Sequence, residues 1–304
     1  MENKRNYTDW KIVGCIAAVC CILWGSAYPG VKSGYILFNI ATNDIASKYV
    51  FAGYRFTISG MVLLIFSGMV GKKVFKLSKE SIKSLIILSI LQTMLQYIFF
   101  YVGVANTTGV KSAILNATGT FFSVILAHYI YKDDKLSRGK IIGCLVGFIG
   151  VMIVNFSSSL LDFSFSFMGE GFIVISAFVS SVAAIYAKKL TKELDVIIVT
   201  GYSLFIGGLM LISLGAAFGG RVYHFTFEST SLLLYLALLS SIAFSLWNLL
   251  LKYNKVGKVS IYNFLTPIFG ALFSSMFLGE NIFEVKNVIA LILVCLGIWS
   301  VNRE

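Results

Sequence analysis

One arginine lies deep inside an apolar stretch of this chain and has the chemistry to bind an anion. Arg55 is about nine residues from the nearer end of its apolar run, or roughly 13 Å deep if that run is helical. A buried guanidinium must find a partner, which could be the carboxylate or phosphate of a small molecule, or an outer gate. Alternatively, Arg55 could snorkel outward or bond the carbonyl ends of neighbouring helices. The sequence leaves both interpretations open.

Two amides lie near the middle of another apolar run. Gln92 and Gln96 are four residues apart, which places them on one face of a helix. Amides there are costly unless they face protein, water or ligand. They could bind a zwitterion or nucleobase in a central cavity, or they could join two helices by hydrogen bonds.

Polar residues recur at matching places on two further runs. Asn116 and Thr120 lie on the first, and Asn263 and Pro267 lie on the second. We expect them to contact substrate at gates on opposite sides of a central site. Small and polar residues also allow close helix packing without any such role.

Aromatic residues mark a third candidate region. Trp24 and Tyr28 are one helical turn apart, immediately before Pro29, which permits a kink. They could form a wall of a substrate site, although Tyr28 is also typical of an interfacial aromatic belt. Trp247 and Asn248 are candidates of the same kind, with helix packing as the alternative.

The acidic residues and cysteines do not form a reactive centre. By the expected spans, every Asp and Glu lies at or near a membrane boundary, and all five cysteines lie within spans. Nucleophilic catalysis needs a nucleophile beside a base, and a metal needs clustered ligands. We therefore expect no enzyme activity, metal or cofactor. A proton relay normally needs an ionisable group inside the membrane, so a facilitator, or coupling that does not use a buried carboxylate, is favoured.

A fold must hold these side chains in place, and the amino-acid composition indicates the fold class. The chain has 304 residues, of which 58% are apolar and 13% charged. Soluble domains hold roughly 25% charged residues. We predict an all-α integral membrane protein with ten transmembrane helices, near 11–30, 46–70, 83–104, 109–131, 138–156, 168–188, 196–219, 230–251, 256–277 and 285–301.

The basic residues predict the orientation of the chain. The net charge is +11, and 19 of the 25 Lys and Arg residues fall in every second gap between spans or at the termini. The positive-inside rule then places both termini in the cytoplasm of a multi-pass plasma-membrane protein. This distribution argues against a nucleic-acid partner. No cleavable signal peptide is evident, so the first helix is expected to remain as an anchor.

An offset of 147 residues aligns the two halves of the chain without gaps. It pairs Asn116 with Asn263, Phe122 with Phe269, and acidic Asp133 with acidic Glu280. Five helices per half would make the second copy enter the membrane from the opposite side. The prediction is therefore a single membrane domain made of two inverted five-helix repeats, 1–156 and 157–304.

Four motifs in this frame resemble the drug/metabolite transporter superfamily, EamA type, over nearly the full length. They are Trp24-Gly25-Ser26 followed by Lys32, Arg55-Phe56, Asn263 to Pro267, and Leu278-Gly279-Glu280. The resemblance implies a carrier of small metabolites, usually an exporter of amino acids or similar compounds. The chain departs from the family at Lys132-Asp133, where Gly-Glu is usual, and at Thr120, where proline is common. Helix four is therefore expected to bend less than helix nine.

The sequence thus predicts a secondary transporter that exports amino acids or comparable small metabolites by alternating access. An uptake permease would use the same machinery. A receptor or assembly factor without transport is a further alternative. The expected partners are a small-molecule substrate and the lipid bilayer, and the oligomeric state is left open.

Overall fold

Helices dominate the part of the chain that the structure describes. The computed structural model describes residues 7–107, 109–154, 165–278 and 285–303, and these contain no strand. In chain order the helices are α1 (Trp10–Leu37), α2 (Ile45–Met69), α3 (Lys79–Ala105), α4 (Gly109–Ala117 and Gly119–Ile130), α5 (Arg138–Val154), α6 (Phe167–Glu193), α7 (Val196–Ala217), α8 (Phe227–Tyr253), α9 (Val256–Ser260, Ile261–Phe264 and Leu265–Leu278) and α10 (Val285–Asn302).

Eight of the described helices are long and apolar enough to cross a membrane. The prediction of an all-helical membrane protein is therefore confirmed at this level. The other two are α5, with 17 residues, and α10, whose apolar part is Val288–Asn302. The expected repeat boundary at 156 and the motif residues Gly279 and Glu280 lie outside the described residues.

The first helix is longer than expected. It was expected to end near residue 30, but α1 continues through the buried Pro29 to Leu37. Membrane helices tolerate proline because neighbouring groups re-satisfy the freed carbonyl.

Both α4 and α9 are interrupted. In α4, the backbone N–H and the hydroxyl of Thr118 both donate to the Leu115 carbonyl, and the helix is interrupted there. In α9, the 3-10 turn Ile261–Phe264 separates two α-helical pieces. That helix four bends less than helix nine stays a prediction.

Glycines bring α2 and α7 into direct backbone contact. A Cβ atom at Gly53 would lie 2.8 Å from the carbonyl oxygen of Gly208, and one at Gly60 would lie 2.5 Å from that of Gly201. The order of these pairs shows that the helices are antiparallel. Lipid chains are as apolar as leucine, so helices in a membrane associate mainly through such close packing.

The same device joins α5 and α10. A Cβ atom at Gly143 would lie 2.6 Å from the carbonyl oxygen of Gly297, and one at Gly150 would lie 2.9 Å from that of Ala290. Gly147 packs against the ring of Phe264 on α9. Gly143, Gly147 and Gly150 thus form a packing surface on α5.

One end of the bundle carries the loops 70–78, 131–137 and 254–255, and we call it the lysine-rich end. Polar contacts join these loops to neighbouring helix ends. Asp134 is 1% exposed; it accepts from Lys140 Nζ at 2.6 Å and from the amide of Gly257 at 3.0 Å. Its position near a helix end was expected, but its burial was not. Lys188 Nζ also donates to the carbonyl of Asn254 across this end.

An ion pair at the same end links the loop after α2 to the start of α7. Lys72 Nζ lies 2.7 Å from Asp195 Oδ2, and Asp195 also caps α7 through the amides of Ile197 and Ile198. Burial raises the pKa of the Asp195 carboxyl. The hydrogen bonds from Lys72 and the two amides outweigh burial and hold that pKa below its usual value of 3.8.

Removing this carboxylate should weaken the fold in a pH-dependent way. A depressed pKa stabilises the folded state above the unfolded pKa, and this contribution is lost as pH falls through the folded pKa. We expect Asp195→Asn, which retains capping ability, to cost roughly 0.2–1 kcal/mol at neutral pH, because the pair is partly exposed. In thermal unfolding series, the gap to wild type should close in acid. The exposed-site control Lys79→Gln should show no such gap, and a pH-independent gap for Asp195→Asn would contradict the assignment.

The α2–α7 contact can be tested with two glycines of one helix. Gly60→Ala places a methyl group against backbone atoms of α7, whereas Gly68 has nothing within 4 Å of its Cβ position. We expect Gly60→Ala to destabilise the protein by about 1–3 kcal/mol. Gly68→Ala should be neutral or stabilise by up to about 1 kcal/mol through helix propensity. The measurement is the temperature at which the monodisperse size-exclusion peak is lost, and equal values for the two variants would refute the close contact.

Candidate central binding site

Aromatic rings from α1, α2, α3 and α8 meet inside the bundle. The ring of Trp24 lies 5.1 Å from that of Trp247 and 5.6 Å from that of Phe244. Phe56 continues the contact, at 6.3 Å from Phe244 and 4.6 Å from Tyr97. We call these five residues the central aromatic cluster. Edge-to-face packing of this kind gives a firm apolar wall.

Tyr28 on α1 lies beside the central aromatic cluster. Its ring packs against α9, where a Cβ atom at Gly270 would lie 3.2 Å from it, and it is close to Tyr97 on α3. Tyr28 is 40% exposed, so these neighbours leave part of its ring uncovered. Both roles expected for Tyr28, substrate contact and interfacial belt residue, stay predictions.

Arg55 is 4% exposed, and its guanidinium lies 5.1 Å from the ring of Phe56 in the central aromatic cluster. Its Nε donates to Ser240 Oγ at 2.8 Å and to the Leu236 carbonyl at 3.3 Å, both on α8. Ser240 in turn donates to the same carbonyl. Bonding to a neighbouring helix was one of the two roles predicted for this arginine, and it accounts for one edge of the guanidinium.

The charge of Arg55 is not matched by a carboxylate in the part of the chain that the structure describes. The ion pairs recorded there are all made by lysines. Arg55 instead lies close to three phenols, those of Tyr35, Tyr97 and Tyr101. A buried cation surrounded by neutral hydroxyl groups provides a strong attraction for an anionic ligand.

Among the described residues, seven buried side-chain polar atoms have no hydrogen-bond partner, and one of them is Oε1 of Gln92. Gln92 lies in a π-helical turn of α3, Ile90–Leu95, and such turns occur often at functional sites. An orphaned polar atom in a membrane interior is costly unless a ligand or water satisfies it. Gln96, which follows the π-turn, is half-buried.

The other residues predicted for the site divide into two groups. Asn248 donates to Thr200 Oγ1 at 3.0 Å, and Thr120 donates to the Ser260 carbonyl at 3.2 Å, so both connect helices in this structure. Asn116, Asn263 and Pro267 are half-buried on α4 and α9. No hydrogen bond is recorded for the two amides within the described ranges.

The structure adds residues that sequence reasoning missed. Tyr97 and Tyr101 were visible as tyrosines four residues apart in an apolar run, which is the pattern that could have revealed them. Ser240 gave no signal, because small hydroxyl residues are common packing residues in membrane helices. Tyr35 lies beyond the expected end of the first helix and was overlooked for that reason. Within the described residues, no three His, Cys, Asp or Glu side chains are grouped to hold a metal.

The helices define a multi-pass membrane protein, and comparison with known proteins identifies its family as one of transporters. Residues 11–156 and 167–303 match the EamA-like transporter family. The chain therefore belongs to the EamA-like transporter family, as the sequence motifs predicted.

Individual relatives agree with this assignment. The chain is 25% identical over 281 residues to the uncharacterized transporter YoaV of Bacillus subtilis, covering 91% of this chain and 92% of the relative. It is 30% identical to an uncharacterized transporter of Acidianus ambivalens over 71% of this chain and 79% of that protein. A crystal structure with a TM-score of 0.77 and 14% identity covers 96% of this chain and 97% of its own, and it shows the shared fold.

The contact between Arg55 and Ser240 can be isolated with two serines. Ser240 and Ser213 each donate to the carbonyl four residues earlier in their own helix, but only Ser240 also accepts from Arg55. We expect Ser240→Ala to destabilise the protein by about 1–3 kcal/mol, because a buried charged donor loses its acceptor. Ser213→Ala should stay within about 0.5 kcal/mol of wild type. The measurement is thermal unfolding in detergent, and a neutral Ser240→Ala would show that this contact does not hold Arg55.

Proposed function

We propose that this protein is a secondary transporter that exports amino acids or comparable small metabolites bearing a carboxylate, by alternating access across the plasma membrane. The observation that carries the proposal is the buried Arg55, which bonds neutral groups of α8 and lies 5.1 Å from the ring of Phe56 in the central aromatic cluster. The carboxylate would bind at Arg55 and an apolar portion would pack on Trp24 and Tyr28. Gln92 would satisfy a polar group of the ligand.

The proposed architecture has ten transmembrane helices in two inverted repeats, 1–156 and 157–304, in a single membrane domain. The helix contacts support it. In the proposed repeat, each of the helices α1 to α5 has a counterpart five helices later, so α1 corresponds to α6, α3 to α8 and α4 to α9. Replacing each helix by its counterpart turns the pairs α1–α8 and α1–α9 into α6–α3 and α6–α4. All four of these pairs are in contact. The pairs α2–α7 and α5–α10, which this exchange maps onto themselves, have the most extensive contacts. A two-fold axis in the membrane plane would give this pattern.

Side-chain contacts follow the same relation. The offset of 147 pairs Ser89 with Leu236 and Thr93 with Ser240. Ser240 and Leu236 of α8 accept from Arg55 on α2. Ser89 and Thr93 of α3 donate to the carbonyls of Tyr202 and Ser203 on α7. These two polar crossings are natural candidates for gates on opposite sides of the site.

The mechanism that we propose couples ligand binding to the α2–α8 crossing. An anion at Arg55 competes with Ser240 and the Leu236 carbonyl for the guanidinium. Binding would therefore weaken this crossing while the ligand bridges other helices, and this difference in contacts would shift the equilibrium between the two open states. The direction of flux then follows the substrate gradient. The lysine-rich end is proposed to be cytoplasmic, together with both termini.

Ligand binding and flux test this proposal together. The purified protein is heated with a panel of amino acids, other organic anions, nucleosides and quaternary amines, because a ligand of the folded state raises the unfolding temperature. We expect carboxylates to give the largest shift, and Arg55→Gln to weaken binding about tenfold or more, since a charged hydrogen bond contributes about 1.5–3 kcal/mol.

Two comparisons make the outcome decisive. Arg221→Gln removes an exposed arginine at the opposite end from the lysine-rich loops and should leave affinity unchanged. The compound that raises the unfolding temperature is then tested for flux in liposomes. In Arg55→Gln its flux should fall in parallel with its binding. Undiminished affinity in that variant would refute the central site, and selective binding without flux in the wild type would favour a receptor.

A further inference from the structure

An apolar groove lies between α4 and α6 at the lysine-rich end. Its volume is about 300 Å³. Its walls are formed by Ile130, Val182, Ile185 and Tyr186, and Lys189 and Lys192 lie at its rim. Ile130 is 54% exposed, and both lysines are exposed. The groove therefore opens onto the outer surface of the bundle, where the solvent of a membrane protein is lipid.

The charges around the groove favour an anion. Three exposed lysines, Lys132, Lys189 and Lys192, belong to this region. Two exposed carboxylates, those of Asp133 and Glu193, partly offset their charge. The next basic group, Lys188, is buried and donates to the Asn254 carbonyl. Asp134 is engaged with Lys140 and the Gly257 amide, so it does not cancel the charge of the rim.

Tyr131 connects the basic rim to the apolar walls. Its ring lies 5.8 Å from Lys192 Nζ and 4.9 Å from Lys188 Nζ, and its hydroxyl donates to the Ile185 carbonyl at 3.2 Å. These contacts hold the end of α4 against α6. The two rim lysines lie near the C-terminal end of α6, next to this contact. Apolar walls below a pair of lysines match the two parts of an anionic phospholipid.

We propose that this groove binds an anionic phospholipid of the adjoining leaflet. One acyl chain lies along Ile130, Val182 and Ile185, and the phosphate accepts hydrogen bonds from Lys189 and Lys192. A lipid bound in this way touches α4 and α6 at once and stabilises their contact, which Ser181 also makes by donating to the Gly119 carbonyl. The assignment to the cytoplasmic leaflet rests on the orientation proposed above. The site itself does not depend on the transported substrate.

A thermal-shift titration in neutral detergent tests the site. The delipidated full-length protein receives phosphatidylglycerol, phosphatidylcholine with the same chains, or soluble glycerol phosphate. We expect a clear rise in unfolding temperature with phosphatidylglycerol only, because the site needs both the charge and the chain. Lys189→Gln with Lys192→Gln should raise the lipid concentration for half the shift roughly tenfold or more. Lys73→Gln with Lys76→Gln, an exposed pair in the loop 70–78, should leave it unchanged.

A second variant tests the apolar part of the groove. Val182→Trp fills the groove and keeps both lysines, so it should also abolish the shift while the protein remains monodisperse. The proposal is overturned if the two lipids act equally, if both lysine pairs matter to the same extent, or if glycerol phosphate alone reproduces the shift. Substrate binding at Arg55 is measured in parallel. A failure there would bear on the proposed transport function and not on this lipid site.

Discussion

Helices surrounded by lipid gain little by burying apolar side chains against each other, so this bundle depends on backbones that approach closely. Glycines provide that approach where α2 crosses α7 and where α5 crosses α10. Both crossings are antiparallel, and both join one half of the chain to the other. The most extensive helix contacts of each half are therefore made with the other half.

The position of the buried charge follows from the first of these crossings. Gly53 and Gly60 turn one face of α2 towards α7, and Arg55 then points to α8. There it meets a hydroxyl and a carbonyl in place of a carboxylate. The guanidinium of Arg55 is thus buried in a membrane-spanning helix without a carboxylate partner among the described residues. Burying a charge in this way is unfavourable, and a bound anion would reduce the cost. Oε1 of Gln92 on α3 is a further buried polar atom without a hydrogen-bond partner among the described residues.

The lysine-rich end shows how the chain uses its acidic residues. Asp134 accepts from Lys140 and from the first turn of α9, and Asp195 pairs with Lys72 while capping α7. Both carboxylates join helix ends from different halves of the chain. In this conformation that end is held together by polar contacts. A conformation open at this end would have to exchange some of these contacts for hydrogen bonds to water. Because these groups lie at the ends of helices, water could replace the lost contacts, and the free-energy cost of opening would be limited.

The sequence by itself determined the class of the protein, because apolar length and the distribution of lysines depend only on composition along the chain. It also made Arg55, Trp24 and Tyr28 candidate site residues, since polar and aromatic residues are conspicuous in apolar runs, and that role stays a prediction. Only the tertiary structure decided that Asn248 and Thr120 hold helices together, and that Tyr35, Tyr97 and Ser240 surround the arginine. The reason is geometric: helical periodicity gives the face of a residue, but the neighbouring helix is set by close backbone crossings between residues some 150 positions apart in the chain.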